Sequence, residues 1–178
     1  SLASCEYCGN GFDAFPQYSQ LARLVWMIKG PDFEHRRCEQ IVQPPDLMPT
    51  LLRICGLPIP DGVEGKSLLP ILEGKTGEPE PRLAISTWTM PTHFSKEHVF
   101  CRRPAVTDGE WTLILQEPPD PAPPELYHIG TDPKEDINLI GESPSQAKRL
   151  HREMLAWLGN MGTPAEAIDR LRRIPWPS

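Results

Sequence analysis

Long apolar runs are missing from this chain. The longest, Leu24 to Ile28, has only the length of a strand, so no helical membrane span is expected. An excess of positive charge is missing as well: 18 Lys and Arg stand against 24 Asp and Glu, a formal net charge of −6. That balance is no footprint for nucleic acid. Cysteine is scarce and odd in number, with Cys5, Cys8, Cys38, Cys55 and Cys101 at irregular spacing, which makes a poor disulfide framework and leaves the redox compartment open. No basic and then apolar leader follows Ser1, so no signal peptide is expected and localisation is unread. A P-loop, GxGxxG, GxSxG, HExxH and any close cluster of Asp and Asn for a hard divalent cation are all lacking. By itself the sequence shows no complete active site.

What is abundant is proline, 22 of 178 residues, against a usual share of about 5%. Glycine, at 13, has no three-residue period, which excludes a collagen helix. Aliphatic and aromatic residues gather in periodic blocks between the prolines, so the expectation is a folded chain with stiff connections. Leu21 to Ile28 reads as a strand buried on both faces. Gln43-Pro44-Pro45-Asp46 opens a helix, with Asp46 at the positive end of the dipole, Leu47, Leu51 and Ile54 facing a core, and Gly56 as the left-handed stop. Ser67 to Leu72 predicts a short helical turn closed by Gly74.

Residues 75–82 form a polar Pro/Gly-rich connector, and beyond it the pattern shifts to short strands. Leu83 to Trp88 is one. Ala105 to Leu115 is a hairpin, with Asp108-Gly109 predicting a type I′ turn. Residues 118–124, five of them proline, predict a loop, and Leu126 to Ile129 a further strand. Ser143-Pro144-Ser145-Gln146 has the pattern of a capping box before a helix striped by Ala147, Leu150, Met154 and Leu158 and ended at Gly159. Thr163-Pro164-Ala165-Glu166 repeats the signature before Ile168 and Leu171. The domain reading is 1–74 as the end of an α/β domain, 75–82 as connector, and 83–178 as an antiparallel sheet with a covering helix.

Cys5-x-x-Cys8 with His35 and Cys38 has the ligand types of a structural zinc site; unpaired cysteines are the simpler reading. His93, His98, Lys96 and Arg102 lie on or beside one loop and suit an anionic group, against the plain alternative of a solvated loop. His128 is expected on the surface or packed, and His151 on the polar face of its helix. Arg170, Arg172 and Arg173 fit a helix C-terminus without needing a partner.

The segment from Ile41 through Gln43-Pro44-Pro45-Asp46-Leu47-Met48-Pro49-Thr50-Leu51-Leu52 to Gly56, continuing through Gly65-Lys66-Ser67-Leu68-Leu69-Pro70-Ile71-Leu72-Glu73-Gly74, resembles the sulfatase family of the alkaline-phosphatase superfamily, with its D-[LIV]-x-P-T-[LIV]-L … G-x-S-L-x-P-x-L-x-G pattern. Ala105 to Ile114 is similar to the family's later hairpin. Glu125-Leu126-Tyr127-His128-Ile129 through Asp132-Pro133 to Asn138-Leu139 is similar to its E-L-Y-D-L-x-x-D-P-x-E-x-x-N-L stretch.

This resemblance implies the C-terminal part of a formylglycine-dependent hydrolase of sulfate esters, running from the end of an α/β domain into an α+β subdomain. It implies no catalytic residue and no cofactor in this chain. The divalent metal (calcium or magnesium) and the formylglycine of a C/S-x-P-x-R motif are expected upstream. Cys101-Arg102-Arg103-Pro104-Ala105 has its proline and arginine at the wrong offsets, and residues 1–20 hold neither Lys nor His. Trp88, His93, His98 and Arg102 are then the expected contacts at the edge of the substrate cleft. The 178-residue piece is expected to be inactive alone and to self-associate through apolar surface left uncovered. Two alternatives stay open: a phosphonate or phosphodiester hydrolase of the same superfamily, and a non-catalytic module binding a partner or zinc.

Overall fold

A computed structural model describes residues 18–30, 33, 35, 37–75, 81–87, 104–115 and 123–176. The chain divides into two units, one of residues 25–84 and the other of 1–24 with 85–178. Trp88, His93, His98, Arg102, Cys5, Cys8, the middle of the connector and most of the Pro-rich loop lie outside the described residues.

In the larger unit, α1 (Ser19–Ala22) precedes a four-stranded sheet in the order β1 (Ala84–Ser86), β2 (Ala105–Thr107), β3 (Trp111–Ile114), β4 (Glu125–His128). Strands β2, β3 and β4 pair antiparallel, with Val106 opposite Leu113 and Leu113 opposite Leu126. Because strand side chains alternate, that cross-strand row lies on one face. All three are fully buried, as are Ala147, Leu150 and Met154 of α4 (Pro144–Asn160), which packs on β2 and β3. The other face buries Ala105, Ile114, Tyr127 and Ile129, with Tyr18 packed against them. A short sheet covered on both faces gains roughly 1.5–3 kcal/mol per large side chain. Helix α5 (Ala165–Arg172) rests on α4 through the buried Ala167, Ile168 and Leu171.

In the smaller unit a single 3-10 turn, Pro44–Asp46, leads into α2 (Leu47–Ile54), and α3 (Leu69–Leu72) follows. The prolines fall in the first turn as predicted. Gly56 and Gly74 have φ of 68° and 74° just past the two helices.

Several expectations are corrected. Residues 21–28 form no strand: Ser19–Ala22 is a helical turn, and Leu24, Val25 and Met27 are 69%, 87% and 87% exposed. The apolar run carried the chemistry of a buried strand, but no neighbouring strand within the described residues pairs with it. The stripe of α2 is inverted, since Leu47, Leu51 and Ile54 are exposed while Asp46, Pro49 and Thr50 are buried. The hairpin turn is centred one residue later than predicted. Asp108 faces Trp111, the central pair is Gly109-Glu110, and only Gly109 has positive φ, at 94°. Glycine at the first central position is the II′ pattern; the shift arises because the Asp108 carboxylate accepts the Glu110 and Trp111 amides at 3.0 and 2.8 Å. Neither Ser143 nor Thr163 caps a helix through its side chain, and Pro164 stands at the cap of α5.

His151 does not lie on a polar face. It is buried, its Nε2 lies 2.9 Å from the Leu171 carbonyl, and Trp176 meets its ring edge-on at 5.2 Å. Burial pushes its pKa down, against the opposing pull of the Leu171 carbonyl. The folded state therefore binds a proton less readily than the unfolded chain, and stability falls as pH drops through the ordinary imidazole value of about 6.5. Thermal melts between pH 7.5 and 5 should show a steeper loss in the wild type than in His151→Gln; equal slopes would contradict this account.

Candidate functional site

Three constellations of polar side chains occupy the three motif segments, and each is built around a carboxylate or amide that accepts backbone N–H groups. In the first, Asp46 is wholly buried. Arg82 donates to it from both terminal nitrogens at 2.5 and 2.8 Å, and the amides of Gln43 and Lys66 donate at 2.8 Å each. Burial opposes ionisation, but the Arg82 hydrogen bonds and the two amides outweigh it and hold the carboxyl below its usual range. Thr50 Oγ1 donates to the Asp46 carbonyl and accepts the Leu68 amide at 2.9 Å. Gly65 lets the two strands of this knot touch, because a Cβ there would sit 2.0 Å from the Pro45 carbonyl oxygen. The D-L-x-P-T and G-x-S-L pieces are thus one hydrogen-bonded lock, in which a bidentate Arg–carboxylate pair ties Arg82 to the start of α2.

In the second, Asp108 closes the hairpin and receives Arg149 of α4 at 2.5 Å. Arg149 also reaches Glu153 at 3.2 Å and Gln146 at 2.9 Å. Burial again works against the charge of Asp108, and the Trp111 amide and Arg149 restore it, leaving the carboxyl low. This joins the turn to the helix that covers the sheet.

The third follows β4. Asn138 Oδ1 accepts the amides of Leu126 and Ile140 at 3.1 and 3.0 Å, and Asp132 accepts that of Ile137 at 2.8 Å. Glu135 has φ of 59°, uncommon outside glycine, and its buried carboxylate takes the Ser19 amide and hydroxyl at 2.7 and 3.0 Å. Tyr18 and Tyr127 both donate to Glu125 Oε2, at 3.0 and 2.8 Å, and burial pushes the Tyr127 hydroxyl strongly up. His128, where the family stretch has Asp, stacks edge-on against Trp111 at 4.6 Å. Its Nδ1 accepts the Thr131 amide at 3.2 Å and lies 2.8 Å from Thr131 Oγ1, so Nε2 carries the proton toward Glu110 at 3.2 Å. That triad of groups closes a surface turn.

The chemistry of these sites is positioning. Their donors and acceptors are consumed by one another, and they align with the motifs in chain order. A family model for the C-terminal part of N-sulphoglucosamine sulphohydrolase matches residues 11–161. The chain belongs to this sulfatase family. Arylsulfatase K of Xenopus laevis is 24% identical over 146 residues, covering 80% of this chain and 27% of the relative. Arylsulfatase K of Rattus norvegicus is 26% identical over 148 residues, 80% of this chain and 26% of the relative. A solved Bacteroides thetaiotaomicron structure, described under metabolism of multiple glycosaminoglycans, superposes with a TM-score of 0.67 at 25% identity, over 82% of this chain and 32% of its own. A 2-O GAG sulfatase structure superposes at 0.58 and 22% identity, over 78% of this chain and 30% of its own, which shows the fold alone. This sulfatase-family chain therefore spans about a quarter of the length of the curated relatives it matches.

The family implies a divalent metal, and the described residues do not fit one. Among them no three His, Cys, Asp or Glu side chains are placed to hold an ion, and both oxygens of Asp46, the most buried carboxylate, are taken by Arg82 and amides. Of the zinc candidates, His35 and Cys38 are exposed and Cys38 is a free thiol; Cys5 and Cys8 lie outside the described residues. Asp46, Thr50, Asp108 and Asn138 are legible in the sequence as motif residues, but their bonding partners are not. Arg82 and Arg149 lie outside the motifs, and no local signal marks either as a partner of a buried carboxylate.

Proposed function

We infer that this chain is the C-terminal portion of a sulfuric ester hydrolase, and that it walls the substrate cleft while the reacting groups are supplied by the rest of the enzyme. The observation that carries this is the family match across residues 11–161. The three locks support it, because they spend the motif residues on holding loops in place. On this reading 1–74 closes the catalytic α/β domain, 83–178 is the appended subdomain, and Trp88, His93, His98 and Arg102 meet the sulfate ester at the cleft edge. Cations there would oppose the charge gathering on the sulfate oxygens as the ester bond breaks.

The complete coding sequence, expressed with a formylglycine-generating enzyme, is expected to hydrolyse an aryl sulfate faster than the matching phosphate ester. The 178-residue chain should turn over neither. Metal-dependent turnover by this chain alone, or a complete coding sequence without a C/S-x-P-x-R motif, would overturn the assignment.

A further inference from the structure

Charge is unevenly distributed along this chain. Residues 144–178 hold six Lys and Arg against three Asp and Glu, whereas the preceding 143 residues hold twelve against twenty-one. The fold draws that local surplus together. His151 of α4 lies 2.9 Å from the Leu171 carbonyl in the last turn of α5, and Trp176 meets the same ring edge-on at 5.2 Å. The intervening residues are thereby pinned beside α4, with Ile174 buried and Arg172 and Arg173 exposed. On α4 itself Lys148 and Arg152 stand at i−3 and i+1 from His151, both exposed, and as i, i+4 neighbours they share one side of the helix. Four exposed cations thus gather about one buried histidine. The acids of this region do not cancel them. Glu153 pairs with Arg149, which is committed to Asp108, and Glu166 lies in the first turn of α5, at its opposite end. Asp169 pairs with Arg172 at 2.7 Å, yet the Arg172 side chain remains 62% exposed. Lys148, Arg152 and Arg173 form no ion pair with another described residue. Helix physics alone does not account for this arrangement. With no acid in its first turn and no cation in its last, α4 places its charges without regard to its dipole, and a like-charge i, i+4 pair is unfavourable to a helix on its own.

We propose that Lys148, Arg152, Arg172 and Arg173 form a docking strip for a linear sulfated polysaccharide. The choice of sulfate as the anion rests on the reading of this chain as part of a sulfatase; the strip itself does not. Guanidinium and ammonium groups bind oxyanions through charge-assisted hydrogen bonds, and Arg does so with two at once. One small anion cannot reach all four cations, because Lys148 and Arg152 alone are about 6 Å apart along the helix axis. A polymer bearing a row of sulfates can. Breadth decides against other polyanions. The acid excess in the rest of the chain repels an extended anionic surface such as a membrane or a nucleic-acid duplex, while a single narrow polymer need touch only the strip. Single-stranded nucleic acid is held largely by bases stacked on aromatic faces, and the aromatic at the strip, Trp176, is already engaged with His151.

Fluorescence anisotropy of the 178-residue chain with a labelled heparin dodecasaccharide tests the strip. Binding should weaken with salt, with a log–log slope of about −3 if all four cations release counterions. Lys148→Gln with Arg152→Gln should weaken binding by about tenfold at physiological salt and roughly halve that slope. Arg172→Gln with Arg173→Gln, on the other element, should do the same. Lys75→Gln with Lys134→Gln removes two exposed lysines elsewhere and should leave affinity and slope unchanged. Wild-type binding by either strip variant, or an equal loss in the Lys75 and Lys134 control, would overturn the proposal. The same oligosaccharide stripped of its sulfates but keeping its carboxylates should bind at least about tenfold more weakly. Equal affinity for it, or tighter binding of single-stranded RNA of the same length or of phosphatidylserine vesicles, would overturn a sulfated polysaccharide as the occupant. A complete protein inactive on aryl sulfates, with the oligosaccharide still bound through these four residues, would sink the sulfatase reading and leave the strip standing; an active one that does not bind the oligosaccharide would do the reverse.

Discussion

Asp46→Ala is expected to cost about 3–5 kcal/mol, because it leaves the Arg82 guanidinium, 14% exposed, without its counter-charge inside the lock. Two backbone amides lose their acceptor in the same step. The measurement is amide hydrogen exchange at Gln43 and Lys66, which should accelerate on the order of a hundredfold or more, while exchange in β3 keeps its wild-type rate. A change confined to a few-fold would show that the lock contributes little. The pH dependence follows from the same bonds. The Asp46 carboxyl is held below its ordinary range, so its contribution is fully present above the unfolded value, near 4, and is lost as pH falls toward the folded one. The protection factor of the Lys66 amide, its intrinsic exchange rate divided by the observed rate at the same pH, should therefore fall on acidification in the wild type and stay flat across that window in Asp46→Ala.

Gly65→Ala is expected to destabilise the same unit by about 3 kcal/mol, at the upper end of overpacking effects. The added methyl would meet the Pro45 carbonyl oxygen at 2.0 Å and its carbon at 2.4 Å, and these are backbone atoms with no rotamer to move. Relief requires the Gly65–Lys66 segment to withdraw from Asp46, which breaks the Lys66 hydrogen bond to the carboxylate. Urea denaturation of the 178-residue chain, followed by the same exchange probe, gives the magnitude. Since both substitutions open one lock, the double variant should lose clearly less than the sum of the singles. Additive losses would mean that Gly65 and Asp46 act on separate structures.

These two residues mark where sequence reading succeeded and where it stopped. Asp46 and Gly65 stood out as motif letters, yet the reading assigned Asp46 to a helix dipole and gave Gly65 no task. Their partners lie 36 and 20 residues away in sequence, and nothing local to either position encodes that distance. His151 fell to the polar side for a related reason. It borders the apolar stripe, beside Ala147 and Met154 at i−4 and i+3, and α5 and Trp176, arriving later in the chain, supply its hydrogen-bond acceptor and its ring contact. The hairpin was legible because its two strands and turn are neighbours in sequence; the one-residue displacement of the turn came from a side-chain acceptor that turn propensities do not count.

What the sequence determined by itself was family, the order of the elements from residue 43 onward and the location of the prolines, because periodicity, turn chemistry and motif spacing are properties of nearby residues. Tertiary structure decided which side of each element is covered. The apolar run at 24–28 and the leucines of α2 have the composition of core and lie on the surface, while Asp46, Glu135 and His151 have the composition of surface and lie within. Burial depends on which partner surface is present and on whether a buried charge finds matching donors, and both are set by residues far away in the chain.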